Sequence, residues 1–164
     1  MDRIINNMPL AEELWKGIGG HFVSIGEILC EFIDNSISNF KGNNTLLKAI
    51  TVRFHVDNDK VRVKIEDSGT GIKNIDAAFT LGSTEGAETL LNEHGFGFKH
   101  ALASANPENN KWSIITCTKE DSANQIYKKM EAPYTFGMKA KEINGPWPGT
   151  ISATGTIIEF ECSI

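Results

Sequence analysis

The sequence predicts an α+β fold, a two-layer sandwich in which helices pack against one sheet. Three observations predict it. Residues 22–40 carry apolar side chains at helical spacing. Residues 50–67 read as two alternating strands around a tight turn. The remaining helix and strand patterns follow without a regular strand-helix-strand repeat, which disfavours a doubly wound parallel sheet. The 164 residues suffice for one domain, and with 40% hydrophobic and 23% charged residues the chain has the apolar material for a core.

The first element is FVSIGEILCEFIDNSISNF, where Ile25, Ile28, Leu29, Phe32, Ile33, Ile37 and Phe40 recur every three or four positions and define a helix over 22–40. ITVRFHV (50–56) and VRVKIED (61–67) then alternate apolar and polar residues on either side of Asp57-Asn58-Asp59-Lys60, a hairpin. A glycine-rich turn follows, then a short helix at 74–79, a polar loop through residue 95, and a helix at 97–105 that stops near Pro107. Candidate strands occupy 111–118, 124–131 and 155–162, the last reading GTIIEFEC. Breakers concentrate at Gly17 to Gly20, Gly82 to Gly97, and Gly145-Pro146-Trp147-Pro148-Gly149.

Several classes are excluded. Cys30, Cys117 and Cys162 are odd in number, widely spaced and free of any CxxC pair, so they read as small buried hydrophobes rather than a disulfide framework or a zinc site. With 16 basic against 21 acidic residues the net charge is -5, a poor match for nucleic acid except through regions outside this chain. No apolar run approaches the roughly 20 residues that cross a bilayer, and the N-terminus carries acids and amides where a signal peptide is apolar. A soluble, cytoplasmic protein is expected. No Gly-Lys dipeptide exists, so a Walker-type loop is absent, and both glycine clusters miss GxGxxG, at Asn74 and His100. There is no HExxH, and Gly82-Ser83-Thr84-Glu85-Gly86 has its serine one place early for a nucleophile elbow.

Four features remain. On the first helix Glu31 and Asn35 lie together one turn apart, just beyond the edge of the apolar stripe, where they border a core and can face a cleft. An i,i+4 pair of this kind also fits a solvated face, as Glu27 and Asp34 do farther round. In the second strand Asp67 shares parity with Val61, Val63 and Ile65, so its carboxylate emerges on the buried side and requires hydrogen-bond donors; a nucleobase amino group supplies one. His94-Gly95-Phe96-Gly97-Phe98-Lys99-His100 opens a helix, with glycines that let backbone N–H groups approach an anion and with Lys99 adding positive charge. Thr156 begins the last strand on the parity of Ile158, Phe160 and Cys162, hydroxyl inward.

Taken in order, Glu31-x-x-x-Asn35, Asp67-x-Gly69-x-Gly71, Gly95-x-Gly97 with Lys99, and Gly155-Thr156 resemble the box series of the GHKL superfamily, the ATP-binding domains of gyrase, heat-shock chaperone, histidine-kinase and mismatch-repair type. The resemblance spans about 22–162. It implies the Bergerat fold, a mixed sheet backed by helices with ATP beneath a lid over about 82–96. The wording EFIDNS and Lys99 are most similar to the microrchidia and heat-shock chaperone branches.

Residue by residue, the resemblance implies that Glu31 is the general base for the attacking water and that Asn35 is the side-chain ligand of Mg²⁺. It makes Asp67 the acceptor of the adenine amino group with Thr156 assisting, and lets Gly69 and Gly71 pass close to the nucleotide while Ile72 lines the base pocket. It places Gly95, Gly97, Phe98 and Lys99 at the phosphate end of the lid, which begins near Gly82 and Ser83. Where many members carry a further glycine before Gly95, this chain has Asn92. Sensor histidine kinases usually place an amide at the position of Glu31 and carry a phospho-acceptor helix upstream, so hydrolysis is expected over kinase chemistry. The alternative is a nucleotide-gated scaffold or kinase-like module without significant turnover. The implied partners are ATP and ADP, a downstream domain that brings a lysine to the γ-phosphate, and a second copy in an ATP-dependent homodimer. The chain then reads as the front part of a longer protein.

Overall fold

A computed structural model describes residues 15–17, 24–40, 47–78 and 97–163. Helix α1 spans Ile25–Asn39 and starts where Ser24, in extended conformation, caps it by accepting from the Glu27 N–H at 3.2 Å. Strands β1 (Ile50–Asp57) and β2 (Lys60–Asp67) form the expected hairpin, with unbroken register from Ile50 opposite Asp67 to Asp57 opposite Lys60. A single helical turn, α2 (Ile75–Ala78), is followed by α3 (Gly97–Ala105) and β3 (Trp112–Cys117). Then come α4 (Lys119–Ala123), β4 (Ile126–Glu131), β5 (Lys141–Asn144) and β6 (Gly155–Ser163).

The six strands form one sheet in the order β1-β2-β6-β3-β4-β5. The mixed sheet implied by the resemblance is not what these strands form, since every pairing among them is antiparallel. The reason lies in β6, which inserts between β2 and β3 and runs against both. β2 and β3 therefore point the same way without touching, and the chain between them carries α2 and α3 over one face. Two elements escape the sequence pattern. β5 is four residues long and too short to show a period, and α4 is a five-residue turn closed by a capping box between Thr118 and Asp121.

α1 and α3 cover the face of the sheet that bears Val63, Ile65, Ile114, Ile158 and Phe160, all 3% exposed or less. Phe32 of α1 meets Phe98 of α3 edge-on at 5.6 Å and Phe160 of β6 at 5.5 Å, which fixes both helices on the central strands. Trp15 stacks on Trp112 and Tyr134 and donates its indole N–H to the Asn106 carbonyl at 2.8 Å. Of the three cysteines, Cys117 is buried and Cys162 half-buried, but Cys30 is exposed. That corrects the reading of all three as buried hydrophobes, because Cys30 falls on the outer side of α1, away from Ile28 and Phe32. Among the described residues no helix is long and apolar enough to cross a membrane.

Candidate functional site

The C-terminal end of β2 gathers most of the candidate residues that the structure describes. Parity carries Asp67 to the helix-covered face, where it is 5% exposed. Its carboxylate accepts from the Ser36 hydroxyl at 2.8 Å and from the Gly69 N–H at 2.9 Å. Burial raises the Asp67 pKa above the ordinary 3.8, outweighing the hydrogen bonds from Gly69, Ser36 and the Thr156 backbone that pull it down, and Glu66 next door adds to the rise. A carboxylate has about four lone-pair positions. The Ser36 hydroxyl, the Gly69 N–H and the Thr156 backbone leave Asp67 able to accept one more.

Beside it, Thr156 of β6 lies opposite Asp67 on one side and Thr116 of β3 on the other. The two threonine hydroxyls are 2.9 Å apart, and Thr116 Oγ1 also accepts from the Ile72 N–H at 2.8 Å and contacts the Gly155 carbonyl at 3.1 Å. Three adjacent strands thus place Asp67, Thr156 and Thr116 in one row. Ile72 is 4% exposed and belongs to the apolar core beside this row.

The two glycines of the turn have a reason the sequence did not suggest. A Cβ on Gly69 would collide with the Asn39 side-chain amide, and one on Gly71, where φ is +78°, would collide with the Cys117 carbonyl. Close approach is therefore required by the protein's own packing at both. Asn39 is the fastener: its Nδ2 donates to the Gly71 carbonyl at 3.2 Å and its Oδ1 accepts from the Thr70 hydroxyl at 3.0 Å. Thr154, just ahead of β6, donates its hydroxyl to the Gly69 carbonyl at 2.8 Å.

α1 brings the second half of the constellation. Asn35 is only 7% exposed, and its Nδ2 has no hydrogen-bond partner among the described residues. An orphaned buried amide is costly in a purely structural role, and among the described residues this one is uncommitted. Glu31, one turn earlier, is half-buried, and desolvation followed by the nearby Asp34 raises its pKa above the ordinary 4.5. Glu27 and Asp34 are exposed, as expected. No cluster of three or more His, Cys, Asp or Glu side chains suited to a metal occurs among the described residues. Magnesium would fit only the sparse way it often binds, on Asn35, water and phosphate oxygens.

Two residues stand elsewhere than the resemblance implied. The Phe98 side chain is core, packed on Phe32, so only its backbone can address a ligand. Lys99 is fully buried with its ammonium over the Tyr134 ring, 5.4 Å from the centroid, and desolvation lowers its pKa to about 8. In this conformation its charge is spent on an aromatic face of the core rather than at the start of α3. Gly97 does open α3. Ser24, Ile25, Ala105 and Asn106 share one cavity, so α3 runs antiparallel to α1 and its first turn comes to the end of the sheet where Asp67 lies. Gly82, Ser83, Asn92, Gly95 and the 82–96 lid fall outside the described residues.

Sequence reasoning missed Ser36, Asn39 and Thr116. Ser36 and Asn39 follow Asn35 on the core-facing arc of α1, which helical phase alone exposes, and Thr116 shares parity with Trp112 and Ile114. What no pattern revealed is the register that sets Thr116 against Thr156. A further cavity of about 710 Å³ lies between the ends of β3, β4 and β5 and the 145–153 loop, lined in part by Cys117, Gln125, Ile126 and Trp147. None of the candidate residues lines it. No protein-family model matches the chain, and no curated protein sequence matches it.

Proposed function

We propose that this chain binds ATP and hydrolyses it with Mg²⁺, as a GHKL-type domain of the Bergerat fold. The observation that carries the reading is Asp67: a buried carboxylate, desolvated enough to raise its pKa, held in place by Ser36 and Gly69 yet with accepting capacity left over. A buried acceptor with spare lone pairs suits a ligand that donates, such as an exocyclic amino group on a flat base. Thr156 and Thr116 extend the same polar row into the sheet, and the apolar Ile72 beside it suits the face of a base.

Asn35 and Glu31 support the chemistry. With its amide uncommitted, Asn35 can turn Oδ1 toward a magnesium ion, which when bound offsets charge on the phosphates. Glu31 takes a proton from water at its carboxylate, and its raised pKa moves it toward the range in which a general base works best near neutral pH. The backbone N–H groups at the start of α3 favour an anion.

Lys99 favours a second reading, a nucleotide-binding module that turns ATP over slowly or not at all. With its ammonium on Tyr134, it leaves the phosphates to backbone donors and Mg²⁺, and one missing charge at a transferring phosphoryl group can cost orders of magnitude. A downstream domain that brings another lysine completes the hydrolase in this proposal. Calorimetric titration of ATP into the wild-type chain and into Asp67→Asn tests the binding half. The expected result is saturable, adenine-selective binding that weakens about tenfold to a hundredfold in the variant. Equal affinity would sink the assignment.

A further inference from the structure

The two edges of the sheet are unlike. β5 is four residues long, and its Lys141 pairs with Glu131 of β4 at 3.8 Å, a short and charged edge of the kind that discourages pairing. β1 is eight residues long, contains no proline, keeps unbroken register with β2, and pairs on one side only among the described strands. Among the described residues neither a bulge nor a covering helix or loop protects it. The two-residue turn makes Asp57 and Lys60 a hydrogen-bonded pair, so Val52, Phe54 and Val56 direct their backbone N–H and C=O groups to the open side.

Its two faces differ as well. On the helix-covered face Phe54 is 55% and Val56 63% exposed, large values for apolar residues on a sheet face. On α1, Leu29 is half-buried against the core, whereas Ile37, 49% exposed, lies on the side of the helix turned away from the sheet. The exposed apolar surface on this face of β1 is therefore that of Phe54 and Val56. On the opposite face β1 sets Arg53 beside Lys64 and His55 beside Arg62. Lys64 has Glu159 at 3.9 Å, whereas Arg53 and Arg62 have no ion-pair partner among the described residues. A chain of net charge -5 thus carries a local basic strip beside an open apolar edge.

We propose that the open edge of β1 is a docking site for an extended peptide of alternating apolar and acidic residues, added to the sheet as a seventh strand. Strand addition supplies main-chain hydrogen bonds, and the period of two sends one set of side chains beside Phe54 and Val56 and the other beside Arg53, His55 and Arg62. Charge selects the occupant. Basic or uncharged alternating peptides would meet Arg53 and Arg62 unmatched, and a second copy pairing through β1 in the register that sets Val52 against Phe54 would bring two Arg53 side chains face to face.

The test uses the 164-residue chain and fluorescein-labelled octapeptides of alternating valine and glutamate, or valine and lysine, read by anisotropy. The acidic peptide is expected to bind at least tenfold tighter than the basic one, and Arg53→Glu is expected to reverse that order. An acidic peptide N-methylated at alternate residues keeps its charges but not its strand-forming donors, and is expected to lose at least tenfold. Equal binding of both peptides, or an Arg53→Glu variant with unchanged preference, overturns the proposal. So does sedimentation showing a dimer that excludes the peptide, which assigns the edge to a second copy. Amide exchange at Val52, Phe54 and Val56 already slow in the free monomer also overturns it, because the edge is then covered by the chain itself.

Discussion

Glu66 and Asp67 are neighbours in sequence, both 5% exposed, and they point to opposite faces of the sheet. Glu66 is held from one loop: its carboxylate accepts from the Thr150 N–H at 2.7 Å, the Ile151 N–H at 3.0 Å and the Thr150 hydroxyl at 3.1 Å. Asp67 receives one hydroxyl from α1, one N–H from its own turn and a backbone hydrogen bond from Thr156 of β6. Burial alone does not distinguish them; the origin of the donors does, because Glu66 ties one loop to the outer face whereas Asp67 joins α1, the turn after β2 and β6 at one end of the sheet.

The largest expected effect is on the helix-covered face. Glu31→Ala should lower single-turnover phosphate release by roughly 10²- to 10⁴-fold, the usual worth of a positioned general base, while Mg²⁺-ATP still binds. Unchanged turnover would leave only nucleotide binding on that face. Asp67→Asn comes next, with the tenfold to hundredfold loss of ATP affinity given above. Glu66→Gln supplies the contrast: ATP affinity should stay within about twofold, but turning the charge-assisted hydrogen bonds from Thr150 and Ile151 into neutral ones should cost roughly 1–3 kcal/mol in urea unfolding. If Glu66→Gln weakened ATP binding as much as Asp67→Asn, the division between the two faces would collapse.

The smallest effect sharpens the comparison through pH. The Asp67 pKa is raised in the folded chain, so its ionised form costs stability above the ordinary 3.8, and that cost disappears as pH falls through the folded value. Asp67→Asn should therefore melt slightly higher than wild type at pH 7, and the gap should shrink as the pH is lowered toward 4. A gap that widened on acidification would mean that hydrogen bonds, not desolvation, dominate at Asp67.

Much of this arrangement was legible in the sequence because it obeys local periods. The phase of α1 placed Phe32 inward and Glu31 at the edge, and the alternation of β2 placed Asp67 inward. What local pattern cannot contain is partnership between distant segments. Nothing in VRVKIED distinguishes Glu66 from Arg62 or Lys64 on the outward parity, yet Glu66 is buried because a loop 84 residues on closes over it. Lys99 fails for the same reason. Its position after a glycine pair suggests an exposed cation, whereas a long apolar stem and Tyr134, brought in from beyond β4, draw it into the core. The turn glycines were legible as glycines, but Asn39 and Cys117, which make them necessary, come from the end of α1 and the end of β3.

The position of β6 has a consequence for how the chain is made. Until Gly155–Ser163 leaves the ribosome, β1-β2 and β3-β4-β5 are two separate ribbons with no shared hydrogen bonds, since β6 alone joins them. Each ribbon shows the nascent chain an apolar face and a raw inner edge, at β2 and at β3, for as long as synthesis takes to reach residue 155. Such half-sheets are targets for mispairing and for chaperones that hold extended segments. The site closes at that same moment, because Thr156 and the Gly155 carbonyl arrive with the joining strand. Translation stalled at Asn144 would therefore leave a chain with all of α1 and β2 in place and Asp67 without the strand that lines its far side.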